Sequence, residues 1–202
     1  MRILVAGATG NTGLRLVEQL TEKGHSPIAL VRESSDTDAL ANDVMLRRGD
    51  LTDLQPGVCD GCDAVVFAAG SGGSTGPELT DKVDRDGAKR LIDLAADAAV
   101  SRFVMLSSAG ADDPDPESDL AHYLQAKHEA DEHLKASGLS YAIVRPVSLT
   151  DDDGDRKMRF GAEVDPKGKA ARGDVAAVLA SAIEDDQWTG KALLIESVLA
   201  GS

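Results

Sequence analysis

No stretch of this sequence approaches the roughly 20 consecutive apolar residues that a membrane-spanning helix needs, so no membrane partner is expected. Positive charge is also short: 21 Lys and Arg stand against 35 Asp and Glu, a net charge of −14. Nucleic-acid backbones are bound by clustered cations, so nucleic acid is not an expected partner. An anionic ligand would need its own local patch of positive potential. Cysteines and histidines number two and four. Cys59-Asp60-Gly61-Cys62 has the spacing of a redox pair or half a metal site. A structural zinc takes four ligands, and His25, His122, His128 and His133 show no matching pairing, so no metal is expected. Cys62 stands just before an apolar run, and packing is the plainer reading of the two thiols. There is no internal repeat and no low-complexity tail. The opening residues 1–8 are too short for a secretory leader and run straight into polar turn residues, which gives the expectation of a cytoplasmic protein.

What is present fits one globular domain over residues 1–202, with 42% apolar and 28% charged residues. Short apolar runs at 2–8, 26–32, 44–48, 64–69, 103–107, 141–145 and 191–196 read as strands. Between them, helical spacing marks 12–23, a short piece at 37–42, a long helix at 78–99, then 118–137 and 174–184, with Asp174 placed to cap the last. Residues 70–77 are rich in Gly and Ser and read as flexible. Residues 150–172 are polar without a clear period, and 147–172 is the expected substrate-loop region. The acidic runs at 112–115, 151–153 and 184–186 read as solvated loops. Alternating strands and helices, with strands apolar throughout, predict a doubly wound parallel α/β sheet covered on both faces. Such sheets bind ligands at the carboxyl ends of their strands.

At the first of those ends the chain reads Gly7-Ala8-Thr9-Gly10-Asn11-Thr12-Gly13. Between the first strand and first helix of a βαβ unit, this is a dinucleotide-binding loop. Gly7 permits the tight turn, Gly10 lets backbone approach a pyrophosphate, and Gly13 lets helix and strand pack closely. Thr9, Asn11 and Thr12 lie between them, with the phosphate charge on the helix N-terminal amides. After the second strand comes Arg32-Glu33-Ser34-Ser35. An arginine there pairs with the 2′-phosphate of NADP, whereas an acidic residue favours NAD. Arg32 makes NADP(H) the preferred expectation and Glu33 keeps NAD(H) as the alternative. Asp50, in Gly49-Asp50-Leu51-Thr52-Asp53, is placed to accept from an adenine amino group, with Leu51 against the ring.

In Tyr123-Leu124-Gln125-Ala126-Lys127, the tyrosine and lysine stand one turn apart on one helix face. An ammonium beside a phenol lowers the phenol's pKa, which suits proton exchange with a substrate oxygen. Ser107 and Ser108 end the preceding strand and are placed to polarise the same oxygen.

Taken together, the segments GATGNTG, GDLTD, AVVFAAG, VDRDGAKRLIDLA, RFVMLSS, YLQAK, YAIVRP and GDVAAVL resemble the short-chain dehydrogenase/reductase superfamily. The likeness is to its atypical, small NAD(P)H-binding members, related to the extended epimerase/dehydratase group. The resemblance implies a Rossmann fold in which Ala68, Ala69 and Gly70 line the cofactor. It implies Ser108 as the catalytic serine with Ser107 beside the cofactor, Tyr123 as acid/base, and Lys127 on the nicotinamide ribose. Pro146, Val147 and Ser148 would contact the nicotinamide. Asp84 falls where relatives often carry Asn or Asp. Extended relatives have a sizeable C-terminal substrate domain, and too little chain follows Pro146 here to build one, so a nucleotide-sugar site looks under-built. Two readings follow. One is an oxidoreductase moving hydride to or from a small carbonyl, quinone or flavin-like substrate, with an epimerase/dehydratase-like reaction using the same residues. The other is a module that binds NADPH as a redox sensor without turnover.

Overall fold

The computed structural model describes residues 1–70 and 76–198. The chain folds as β1 (Arg2–Ala6), α1 (Asn11–Glu22), β2 (Ser26–Val31), β3 (Met45–Arg48) and β4 (Ala64–Phe67). A helix in three parts follows: α2 (Pro77–Thr80), a π-helical segment (Asp81–Gly87) and α3 (Ala88–Asp97). Then come β5 (Arg102–Leu106), α4 (Ala121–Ala136), β6 (Tyr141–Pro146), β7 (Ser148–Thr150), β8 (Met158–Phe160), β9 (Lys169–Ala171), α5 (Arg172–Glu184) and β10 (Lys191–Ser197).

The main sheet runs β3-β2-β1-β4-β5-β6-β10-β8. All its pairs are parallel except β10 with β8. The expected doubly wound α/β fold is what forms. Alternation along each strand explains why both faces are apolar. In β1, Ile3 and Val5 join a core with Leu16, Val17 and Leu20 of α1 and Val175, Leu179 and Ile183 of α5. Leu4 and Ala6 face the opposite core, with Leu91, Ile92 and Ala95 of α3 and Leu134 of α4. Crossing over from β3 through β1 to β4 reverses the strand order beside β1, and a ligand crevice opens at that switch point.

Four local readings are corrected. The helical piece expected at 37–42 is a run of turns. Asp36 accepts from the Asp38 amide (3.0 Å), an Asx hydrogen bond that competes with helix, and Leu40 alone is anchored in the core. The long helix expected at 78–99 is interrupted by the π-helical segment. Asp174 does not cap α5. Ala171 flanks that helix, and Asp174 lies fully buried in its first turn, accepting from Ser197 Oγ (2.6 Å) and the Arg156 amide (2.8 Å). The polar 150–172 region carries short strands: β7 pairs with β9, and β8 with β10. Of the stretch read as flexible, residues 71–75 lie outside the described residues.

Candidate functional site

A cleft of about 810 Å³ runs across the carboxyl ends of the strands at the switch point. Its floor is the glycine loop, with Gly7, Thr9, Gly10, Asn11 and Thr12 in the lining. Gly7 has φ +83°, and a Cβ there would come within 2.6 Å of the Ala69 amide nitrogen. Only a glycine lets the turns after β1 and β4 meet. Gly13 lies beneath the lining, where a Cβ would run into the Gly7 carbonyl. Gly10 precedes α1 in extended backbone, and among the described residues no side chain caps that helix. Its first amides are left for an anion, the requirement of a phosphate site.

One end of the cleft is formed by Arg32 and Ser35 after β2, and by Asp50 and Leu51 after β3. Ser35 Oγ accepts from the Arg32 amide (3.0 Å) and so shapes that turn. Asp50 Oδ1 accepts from the amide (2.9 Å) and hydroxyl (2.8 Å) of Thr52. The Thr52 amide is the main reason the Asp50 carboxyl sits below its ordinary value, with Arg32 nearby adding to it. Arg32 also borders an adjoining recess with Glu33, Ser34 and Arg48. There Arg48 donates to the Arg32 carbonyl (2.9 Å) and pairs with Glu33 (3.6 Å).

The other end gathers Ala68, Ala69 and Gly70 after β4, Leu106 and Ser107 at β5, and Tyr123 and Lys127 from α4. Lys127 is 2% exposed. Its ammonium pairs with the fully buried Asp84 carboxylate (2.9 Å) and donates to the carbonyls of Leu106 (3.3 Å) and Ala69 (3.4 Å). It also lies 5.7 Å from the centre of the Tyr123 ring. Burial works against the charge on Lys127, but Tyr123, Asp84 and Asp131 together outweigh it and hold the ammonium above the ordinary lysine value. The π-helical segment is therefore what brings a carboxylate to the lysine. π-Bulges occur often at functional sites.

Behind this corner Asp131, one further turn along α4, is fully buried. It accepts from Ser107 Oγ (2.8 Å) and from Arg145 Nε (3.1 Å) and Nη2 (3.0 Å). Burial pushes its carboxyl up, against the opposing pull of Arg145 and Ser107.

Most of the expected site residues meet in this one cleft. Ser148, exposed in β7, does not line it, and neither do four more. Ser108 lies outside the lining with its hydroxyl on the Ala109 carbonyl (3.3 Å), and Ser107 takes the place on the wall. Pro146 and Val147 are buried at the strand end, where the Val147 amide donates to Ile195 (3.2 Å). Leu149, two residues further on, is in the cleft wall. Gly13 is the fourth and acts from below. The acidic run at 151–153 follows β7. It is the exposed loop expected, and its carboxylates Asp151 and Asp153 are in addition held by Asn11, Arg15 and Arg172. Arg172 itself lines the cleft and was not foreseen. Cys59 and Cys62 are free thiols buried in the α3/α4-side core, away from the cleft. Burial pushes the Cys59 thiol up to about 12. Among the described residues no group of three or more His, Cys, Asp or Glu gathers as metal ligands, and no helix is long and apolar enough to cross a membrane.

Residues 7–186 match the family described as NAD(P)H-binding. An uncharacterised sugar epimerase of Bacillus subtilis (strain 168), YhfK, is 34% identical over 198 residues, covering 95% of this chain and 92% of that protein. A Bacillus halodurans structure, described as a candidate NAD-dependent epimerase/dehydratase, superposes with TM-score 0.89 at 35% identity, covering 98% of this chain and 94% of its own. The oxidoreductase ylbE of Lactococcus lactis follows at TM-score 0.85 and 27% identity, covering 98% and 91%. The glycine loop, the switch-point cleft and these likenesses agree: the chain belongs to the NAD(P)H-binding family of atypical short-chain dehydrogenase/reductase-like proteins.

Proposed function

We propose that this protein is an NADP(H)-dependent oxidoreductase acting on a small carbonyl, quinone or flavin-like substrate. The observation that carries the reading is Tyr123 on the cleft wall beside a buried, carboxylate-held ammonium, Lys127. The uncapped α1 N-terminus and the two glycines that admit no Cβ fit an extended dinucleotide. When bound, the cofactor supplies or accepts a hydride. Tyr123 gives its hydroxyl proton to the substrate oxygen as the carbonyl carbon gains hydride, or takes that proton in the reverse direction. Lys127, kept charged by Asp84, favours the phenolate this leaves. Ser107, with its proton directed to Asp131, offers lone pairs to the cleft and helps orient a bound hydroxyl.

Arg32 supports NADP(H) as the preferred cofactor, because a guanidinium pairs strongly with a 2′-phosphate. Arg48 adds a second positive charge to that recess, and Glu33 and Asp50 bring two negative ones. A small-molecule substrate, no nucleic-acid or membrane partner, and a cytoplasmic setting belong to the same proposal, with cell fractionation as the check on the last. The region 147–172 is assigned to the substrate side of the single domain, with Leu149 and Arg172 as its contribution to the cleft.

One observation favours a second reading, NADPH sensing without turnover. The Ser107 proton is spent on Asp131 and the Ser108 hydroxyl lies on the Ala109 carbonyl, so neither of these two serines donates to a substrate oxygen. Consumption of NADPH and NADH with a panel of quinones, flavins, aldehydes, ketones and nucleotide sugars separates the readings. The proposal expects turnover with a small acceptor and a preference for NADPH. Tight NADPH binding with no turnover on any of them would favour the sensor. Turnover of a nucleotide sugar alone would favour the epimerase-like reaction.

A further inference from the structure

A dinucleotide brings a doubly charged pyrophosphate to a protein whose own net charge is −14. Three cations line the cleft among the described residues: Arg32, Lys127 and Arg172. Lys127 is engaged by Asp84, and Arg32 stands after β2, at the opposite end from Tyr123. Arg172, the first residue of α5, is the one that reaches the glycine loop. Its Nη1 donates to Thr12 Oγ1 (3.1 Å), within the first turn of α1.

Arg172 already holds an anion there. Its Nε donates to Asp151 Oδ1 (2.8 Å), and the same oxygen accepts from Asn11 Nδ2 (3.0 Å). A carboxylate oxygen thus sits between a guanidinium and an amide beside the uncapped helix N-terminus. The neighbouring Asp153 is held separately by Arg15 (2.8 Å), which anchors this acidic strap without Arg172.

We propose that Arg172 is the counter-charge of the cofactor's pyrophosphate and that Asp151 occupies it when no cofactor is present. This rests on the dinucleotide reading of the cleft. Pyrophosphate and the Asp151 carboxylate then compete for one guanidinium. The Asp151 side chain is 72% exposed, so its pair with Arg172 is screened by water and exchanges readily. A pyrophosphate presents two charges and offers bidentate geometry, and it displaces the carboxylate. Cofactor binding releases the Asp151 side chain from Arg172, while Arg15 keeps the strap in place through Asp153 and the Asp151 carbonyl.

The test is equilibrium binding of NADPH, NADH, ADP-ribose and 2′-AMP to the full chain, by nicotinamide fluorescence and calorimetry. For Arg172→Gln the expected result is a ~10–100-fold loss of affinity, equal for NADPH, NADH and ADP-ribose, because removing one charge-assisted pair is felt on that scale. 2′-AMP, which has no pyrophosphate, should bind unchanged. Asp151→Asn should tighten the first three ligands about 3–10-fold, and that gain should vanish in the double variant. Arg172→Lys keeps the charge and should recover part of the affinity, which separates a charge role from misfolding. Affinities within twofold of wild type in Arg172→Gln would overturn the assignment, as would weaker binding in Asp151→Asn. Wild-type protein that binds none of the four ligands would overturn the dinucleotide reading itself, and this inference with it.

Discussion

The floor of the cleft and its Tyr123 end are built from different materials. The glycine-loop floor offers backbone amides and charges that reach water, Arg172 and Asp151 among them. The Tyr123 end is built on Asp84, Lys127, Asp131 and Arg145, none more than 5% exposed. The first arrangement binds and releases an anion without disturbing the core, since its parts exchange partners with solvent. The second is a buried network of opposite charges, and breaking a buried pair costs several kcal/mol. Its gain is geometric: an ammonium that cannot drift from the Tyr123 ring. On the proposed function, cofactor capture and proton transfer would draw on separate energetics within one crevice.

The comparison breaks most visibly at Lys127. Lys127→Ala should lower stability by about 3–5 kcal/mol, because it removes the ammonium that pairs with the fully buried Asp84 carboxylate. Denaturant unfolding measures it, and a loss under 1 kcal/mol would show the network to be dispensable. The pH dependence follows from sign. The native Lys127 value is raised above 10.5, so near and above that pH the unfolded chain sheds a proton that the native state keeps. The stabilisation is complete below pH 10.5 and declines above it. Lys127→Met should lack this alkaline decline.

At the glycine-loop floor, Gly13→Ala drives a Cβ into the Gly7 carbonyl. Overpacking costs roughly 1–3 kcal/mol, visible as a lower Tm, and NADPH affinity should fall with it as the loop is displaced. A smaller and more selective effect is expected from Arg32→Gln. It should weaken NADPH about tenfold, or about 1.4 kcal/mol, and leave NADH within twofold. Equal losses for both cofactors would refute the 2′-phosphate assignment. The smallest effect concerns the C-x-x-C pair, which has the right spacing for chemistry and no access to it. With burial pushing the Cys59 thiol up to about 12, labelling by a disulfide reagent should stay slow in the native protein from pH 7 to pH 9 and become rapid in denaturant. Fast native labelling would reopen the redox reading.

Much of this was legible in sequence because it is local. Apolar runs marked the strands, and Gly7, Gly10 and Gly13 marked the turn whose crowding the structure explains. Tyr123 and Lys127 were legible as an i, i+4 pair. Asp131 continues the same stripe by one more turn, and Arg145 is a lone cation in the otherwise apolar strand β6, so that spacing was available to read. Asp84 was noticed without a role, since nothing local predicts the π-helical segment that aims it at Lys127. Arg172 reaches Thr12 from 160 residues away, and only the packing of α5 beside α1 creates that contact. The choice between Ser107 and Ser108 turned on which side of a strand end faces the cleft, a one-residue register that resemblance alone did not resolve.

The most direct test of the central claim, that Tyr123 transfers a proton at a dinucleotide cleft, is the Tyr123→Phe variant measured for both kcat and NADPH affinity with an acceptor that the wild type reduces. The account predicts a fall in kcat of roughly 10²–10⁴-fold with NADPH affinity within about threefold of wild type. Turnover that persists at wild-type rate would contradict it.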